Sequence, residues 1–162
     1  SPSPANAATE LWNGTNWTEV NDLNTARYAG AAAGTTTSAL VFGGISFPPA
    51  SIKNETETWN GTNWTEVNDL NTGRDRLGGS GADSDDALAF GGEAAPGYVA
   101  VTEQYNGTNW TEVNDLNTAA VMLGSHGTVN STMAALGQAP SVSTLTEKWN
   151  SPASITRTFT DS

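Results

Sequence analysis

The stretch WNGTNWTEVNDLNT at residues 12–25 returns letter for letter at 59–72, and its last thirteen letters return at 106–118 behind Tyr105. Verbatim repetition constrains a fold more than composition does, because each copy must meet the same kind of neighbour. Trp12, Trp59, Tyr105 and Trp149 hold equivalent positions, 47, 46 and 44 residues apart. A period in the mid-forties is the size of a small sheet of four strands with its connections, and four strands can be read in each unit.

The copied stretch supplies the later pair. Thr56 to Trp59 and Thr62 to Val67 alternate polar and strand-favouring residues around Asn60-Gly61, so a two-residue type I′ hairpin turn is expected there. In the exit, Asn68 to Thr72, the Asn and Asp side chains are expected to bond their own backbone and hold a bend, with Leu70 plugging the core. The earlier pair runs from Arg27 to Ala33 and from Ser38 to Phe42, closed by Gly43-Gly44. It is repeated from Arg74 to Ser80 and from Ala87 to Gly91-Gly92, then from Ala120 to His126 and from Met133 to Gly137. In that last unit Ala120 stands for the Arg and Gln138 for the second Gly, the marks of a looser terminal unit.

The order of an Arg, a double Gly, an aromatic and a Trp (Arg27, Gly43-Gly44, Trp59, Trp64; again Gly91-Gly92, Tyr105, Trp110) resembles the kelch repeat. That resemblance implies an all-β, kelch-like β-propeller segment of about three and a half four-stranded antiparallel blades. The units are 1–25 (a tail and the second half of a preceding blade, with Trp12 and Trp17), 26–72, 73–118 and the C-terminal 119–162. Small residues, Gly30 to Ala33 and Gly78, Gly79 and Gly81, fit inner strands that approach closely. Since closed rings have about four to eight blades, the expected partners are the rest of a longer propeller chain or a second copy. The wording of the repeat is also similar to tandem repeats of virion structural proteins of marine phages, especially those of cyanobacteria.

Charge and composition narrow the function. Six Lys plus Arg against seventeen Asp plus Glu give a net charge of −11, which disfavours nucleic acid and anionic membranes as partners. Ten of the seventeen acids recur in the repeat, before the aromatic (Glu10, Glu57, Glu103, Glu147) and after it (Glu19, Asp22, Glu66, Asp69, Glu112, Asp115), and read as a periodic solvated face. No Cys is present, which removes disulfides, thiolate metal sites and the Cys–Tyr copper chemistry of kelch-type oxidases. No apolar run is long enough to insert in a membrane.

Candidate chemistry is sparse. Asp83 to Asp86 clusters carboxylates as a hard cation would require, but the equivalent segments carry none, so a solvated turn is the preferred reading. His126 is the single His and lacks a nucleophile motif. Paired acids that recur in every unit point to structure, because an active site is singular. Eight Asn-x-Ser/Thr sequons (Asn13, Asn16, Asn54, Asn60, Asn63, Asn106, Asn109, Asn130) would accept glycans in a eukaryotic secretory setting, yet six lie where the turn already calls for Asn and Thr. What varies between units is the connection after the double Gly: Ile45 to Glu55, Glu93 to Val101 and Ala139 to Leu145. These are expected to emerge on one face as a recognition surface, with Phe47, Pro48, Ile52, Lys53, Pro96 and Tyr98 as contact residues. The expected function is non-enzymatic, with no cofactor, catalytic residue or metal: a structural and binding module of a phage fibre or other virion appendage, extracellular or on the virion, meeting a host-surface glycan or protein. The alternative is the C-terminal part of a secreted glycan-binding or glycan-processing propeller whose site lies in upstream blades.

Overall fold

The computed structural model describes residues 5–135, 137–138 and 146–150. Every regular element among them is a β-strand. A two-stranded sheet comes first, β1 (Thr9–Trp12) with β2 (Trp17–Val20). Next is a four-stranded antiparallel sheet of β3 (Ala31–Gly34), β4 (Ala39–Phe42), β7 (Thr56–Trp59) and β8 (Trp64–Val67). Between β4 and β7 stands a small hairpin, β5 (Ile45–Ser46) with β6 (Ser51–Ile52). The second four-stranded sheet repeats this order with β9 (Gly78–Asp83), β10 (Asp86–Phe90), β13 (Thr102–Tyr105) and β14 (Trp110–Val113), carrying the hairpin β11 (Glu93–Ala94) and β12 (Gly97–Tyr98). A three-stranded sheet of β15 (Gly124–Thr128), β16 (Ser131–Ala135) and β17 (Thr146–Asn150) follows. The fourth strand expected in that unit, and the loop at 139–145, lie outside the described residues.

Two local expectations need correction. The copied turn is a four-residue loop, since Trp59 pairs directly with Trp64, and only its Gly has a positive φ (Gly14, Gly61 and Gly107, at 96°, 91° and 85°). Asn60 stays in ordinary backbone and works through its side chain: Oδ1 accepts from the N–H groups of Thr62 and Asn63, both at 2.9 Å, and Asn13 and Asn106 do the same. An Asx-type cap of this kind satisfies two loop donors, so the type I′ geometry is not required. The last unit is also shifted by one residue from its spelling. Gln138 bridges to Val121 as Ile45 does to Tyr28, and Glu93 to Asp75. Gln138 therefore follows the double-glycine site, and Gly137 occupies the position of Gly44 and Gly92.

The sheets pack side by side through their first strands, β3 against β9 and β9 against β15. The expected small residues are what permits this. A Cβ on Gly79 would stand 2.8 Å from Phe42 Cζ and 3.0 Å from Ala31 Cβ, which no side chain tolerates. The double glycine is the second contact. Gly43 and Gly44 have φ of +64° and +97°, and Gly44 N–H donates to Arg74 O (2.9 Å) just as Gly92 N–H donates to Ala120 O (2.8 Å). A third runs through Ala29, Arg76 and Met122, all with φ between 53° and 56°: Arg76 N–H donates to Ala29 O and Met122 N–H to Arg76 O. Leu40, Phe42, Leu70, Leu77, Ala87, Ala89, Tyr105 and Trp110 form one core between the two complete sheets, and Leu88, Phe90, Ala120, Val129 and Ala134 another beyond it. Leu70, 2% exposed, is the plug its position suggested. Fully burying a side chain of that size contributes about 1.5–3 kcal/mol.

The solvated reading of the repeated acids fails at two positions. Glu57 and Glu103 are 0% exposed. Glu57 takes the Arg27 guanidinium at 2.7 Å on Oε1, with the Asn24 N–H (2.7 Å) and Nδ2 (2.9 Å) on Oε2 and the Thr25 N–H (3.1 Å) on Oε1. Glu103 holds Arg74, Asn71 and Thr72 in the same way. The bend was expected to bond to itself. Instead its donors converge on a carboxylate of the following sheet, about thirty residues on, because buried N–H groups need an acceptor and a charged one binds them most strongly. Glu19, Glu66 and Glu112 remain on the solvent face.

Candidate functional site

The variable connections are built on identical anchors. Ile45 and Tyr28 exchange two backbone hydrogen bonds (2.9 and 3.0 Å), as do Glu93 and Asp75 (2.8 and 3.0 Å). Lys53 N–H then returns to Gly44 O at 2.8 Å, and Val99 N–H to Gly92 O at 2.9 Å. Between these fixed points the first connection has nine residues, Ile45 to Lys53, and the second seven, Glu93 to Val99. Because the anchors are equivalent in neighbouring sheets, both hairpins leave the same end of the sheet pair.

Their surfaces differ in chemistry. In the first, Pro48 and Ile52 are exposed and Phe47 is half-buried, an apolar tip. The second is polar at its base. Arg76 bonds Asp75 Oδ2 at 3.2 Å and pairs closely with Glu93, while Pro96 is exposed and Tyr98 half-buried above them. Lys53 sits lower than Phe47 and Ile52 do. Its backbone joins two sheets, with Arg74 N–H donating to Lys53 O at 3.1 Å, and its Nζ pairs with Glu55 at 3.0 Å. Burial alone would raise the Glu55 pKa, but its own backbone N–H and the Lys53 ammonium outweigh that and hold it below the ordinary value. Arg76 and Glu93 were missed in the sequence; the signal was a charge at the αL position of one unit and directly after one double glycine.

The repeat residues meet again as packing. Trp59 Nε1 donates to Thr36 O (3.0 Å) and Trp149 Nε1 to Val129 O (2.8 Å), each closing its own sheet. Trp64 and Trp110 reach across to the preceding sheet, to Thr9 Oγ1 and Thr56 Oγ1, both at 3.1 Å. The sequon residues Asn63 and Asn109 accept from Asn21 and Asn68 of the preceding bend, at 2.7 and 2.8 Å.

The acidic turn at 83–86 closes on itself. Asp85 N–H donates to Asp83 Oδ1 at 2.8 Å, and among the described residues no group of three or more His, Asp or Glu side chains could hold a metal ion. His126 is exposed on β15. Partial burial, then the charge of Asp83, raises the Asp86 pKa above its ordinary value. An acid whose folded-state pKa is raised weakens the fold as pH climbs from its unfolded to its folded pKa, and weakens it fully above both. Asp86→Asn is therefore expected to raise Tm slightly at pH 7, with the gain disappearing below the unfolded pKa near 3.9. Thermal melts of both proteins across pH 3–7 measure this; a gain that persists in acid rules out the titration as its cause.

Among known proteins, no family model matches this chain and no curated protein is significantly similar to it in sequence.

Proposed function

We propose that the chain is a segment of a kelch-like β-propeller, a non-enzymatic display scaffold on a phage fibre or other virion appendage, and that its hairpin face meets a host-surface glycan or protein. One observation carries the reading: hairpins of different length and chemistry rise from equivalent anchors on neighbouring sheets that share the copied outer strand and bend. A chain that copies its outer hairpin and bend while these connections change in length and chemistry separates rigidity from recognition. Two of the recurring acids support the same reading, since Glu57 and Glu103 are spent on buried guanidinium groups and backbone donors. The blade interpretation draws on the side-by-side packing of sheets through small-residue first strands. The phage setting draws on the similarity of repeat wording.

The test is adsorption to a panel of bacterial surfaces and immobilised glycans. Replacing Phe47, Ile52 and Tyr98 together by Ala should leave the fold intact, as judged by Tm and circular dichroism, and weaken adsorption about tenfold or more, the scale of a lost contact cluster. Unchanged adsorption by the triple variant would remove the hairpins from the binding surface.

A further inference from the structure

The sheet β1–β2 has the sequence of the outer half of a complete unit, but among the described residues its inner edge carries no strand. In the complete sheets that edge is occupied. Residues Thr56 to Trp59 pair with Phe42 to Ala39, and Thr102 to Tyr105 with Phe90 to Ala87. Beside β1 lies a cleft of about 370 Å³, lined by Trp12, Trp17, Trp59, Trp64 and the Gly34–Thr36 turn. Two consequences follow for the side chains. Trp12 is 44% exposed, whereas its counterparts Trp59 and Tyr105 are 4% and 2% exposed. Glu10 is exposed, whereas its counterparts Glu57 and Glu103 are buried on an Arg.

In each complete sheet one element fills this edge, covers the aromatic at the end of the edge strand and holds the Glu: the strand pair running from the Arg to the double glycine, with the Asn-Thr before it. We propose that the open edge of β1 is the docking site for one further strand pair of this type, a small-residue β-hairpin ending in Gly-Gly whose Arg reaches Glu10. Backbone pairing along an open edge supplies affinity, and alternate side chains supply register. The template is internal, because the edge residues of β7 and β13 differ little from those of β1 and are filled this way. The cation is also complementary to Glu10 in a chain of net charge −11. Edge-to-edge pairing with a second copy is a poorer fit: the outer strands β8 and β14 read WTEV, bring no Arg, and would place Trp and Glu where β4 and β10 carry Ala, Leu and Phe. The proposal stands on the repeat geometry and is independent of the hairpin recognition face, so either can fail alone.

The test extends the full chain, putting a copy of residues 24–55 in place of residues 1–8, so that the copied Glu55 joins Thr9. The extended protein should be a monomer with a higher Tm, a blue-shifted Trp emission and reduced acrylamide quenching, as Trp12 leaves water and the copied Phe42 covers Trp64 in the way that Phe42 covers Trp110. Arg27→Ala in the copied segment should remove most of the gain in Tm. The same segment, offered to the original chain as a free peptide, should produce the emission shift in trans with saturation at one peptide per chain. Unchanged emission in both arrangements overturns the proposal. So does sedimentation of the original chain as a dimer in which Trp12 is already shielded from acrylamide, which would assign the edge to a second copy.

Discussion

Glu103→Ala is expected to cost about 3–5 kcal/mol of folding stability, the scale for removing one partner of a buried ion pair. Four groups lose this acceptor together: the Arg74 guanidinium, itself 0% exposed, the backbone N–H groups of Asn71 and Thr72, and the Asn71 side-chain amide. Arg74 has little slack, because its Nε already lacks a partner. Burial also lowers the Arg74 pKa, against the opposing pull of Glu103, so losing the carboxylate leaves a cation with desolvation uncompensated. Glu147 is the internal control. It caps Asn117 and Thr118 with the same geometry, at 2.7 and 3.1 Å, but the residue in the Arg position of its unit is Ala120. Glu147→Ala should therefore cost only the cap, about 1–2 kcal/mol. Urea unfolding of the two variants beside the parent measures the difference. Equal and small losses would mean that the buried pair adds nothing beyond the cap.

Trp110→Ala is expected to cost about 3–5 kcal/mol, and Trp17→Ala under about 1 kcal/mol, although both residues sit in the same string, NWTEV. Trp110 is 5% exposed, meets Phe42 edge-to-face at a ring separation of 5.0 Å and Tyr105 at a tilt at 5.1 Å, and donates to Thr56 of the preceding sheet. Trp17 touches Trp12 at 5.5 Å and otherwise faces water. Since a domain of this size is stable by about 5–15 kcal/mol in total, the Trp110 variant should melt far below the parent and the Trp17 variant beside it. If the two melt together, the sheets are not packed against one another through these indoles.

Both results bear on how much of the molecule could be read from its letters. The strands around the copied stretch were legible because alternation and strand propensity are local properties, and so was Leu70, an isolated apolar residue in a polar bend. The turn was misjudged: Asn-Gly favours a two-residue loop by its φ preferences, but an Asn side chain that caps two N–H groups stabilises a four-residue loop with ordinary backbone at Asn. The slip at Gln138 has a similar origin, since spelling aligned a glycine that hydrogen bonding places one position later. For the candidate recognition face, length variation between fixed glycines marked Ile45 to Glu55 and Glu93 to Val101, but not that Lys53 serves the scaffold or that Arg76 and Glu93 join at the base of the second hairpin.

The sequence alone determined the unit length, the order of four strands in the two complete units and the small residues at the close approach, because these follow from backbone preferences and from the space a side chain occupies. It did not show that the first strands begin only at Ala31, Gly78 and Gly124, or that the connections carry hairpins of their own. Only the tertiary structure decided the fate of identical residues. Glu57 and Glu103 are buried on Arg while Glu10 stays in water, and Trp110 is enclosed while Trp17 is bare. The reason is physical: a residue's conformation is set by its chain neighbours, but its solvation is set by whichever sheet lies against it, and the copies differ only in what lies there.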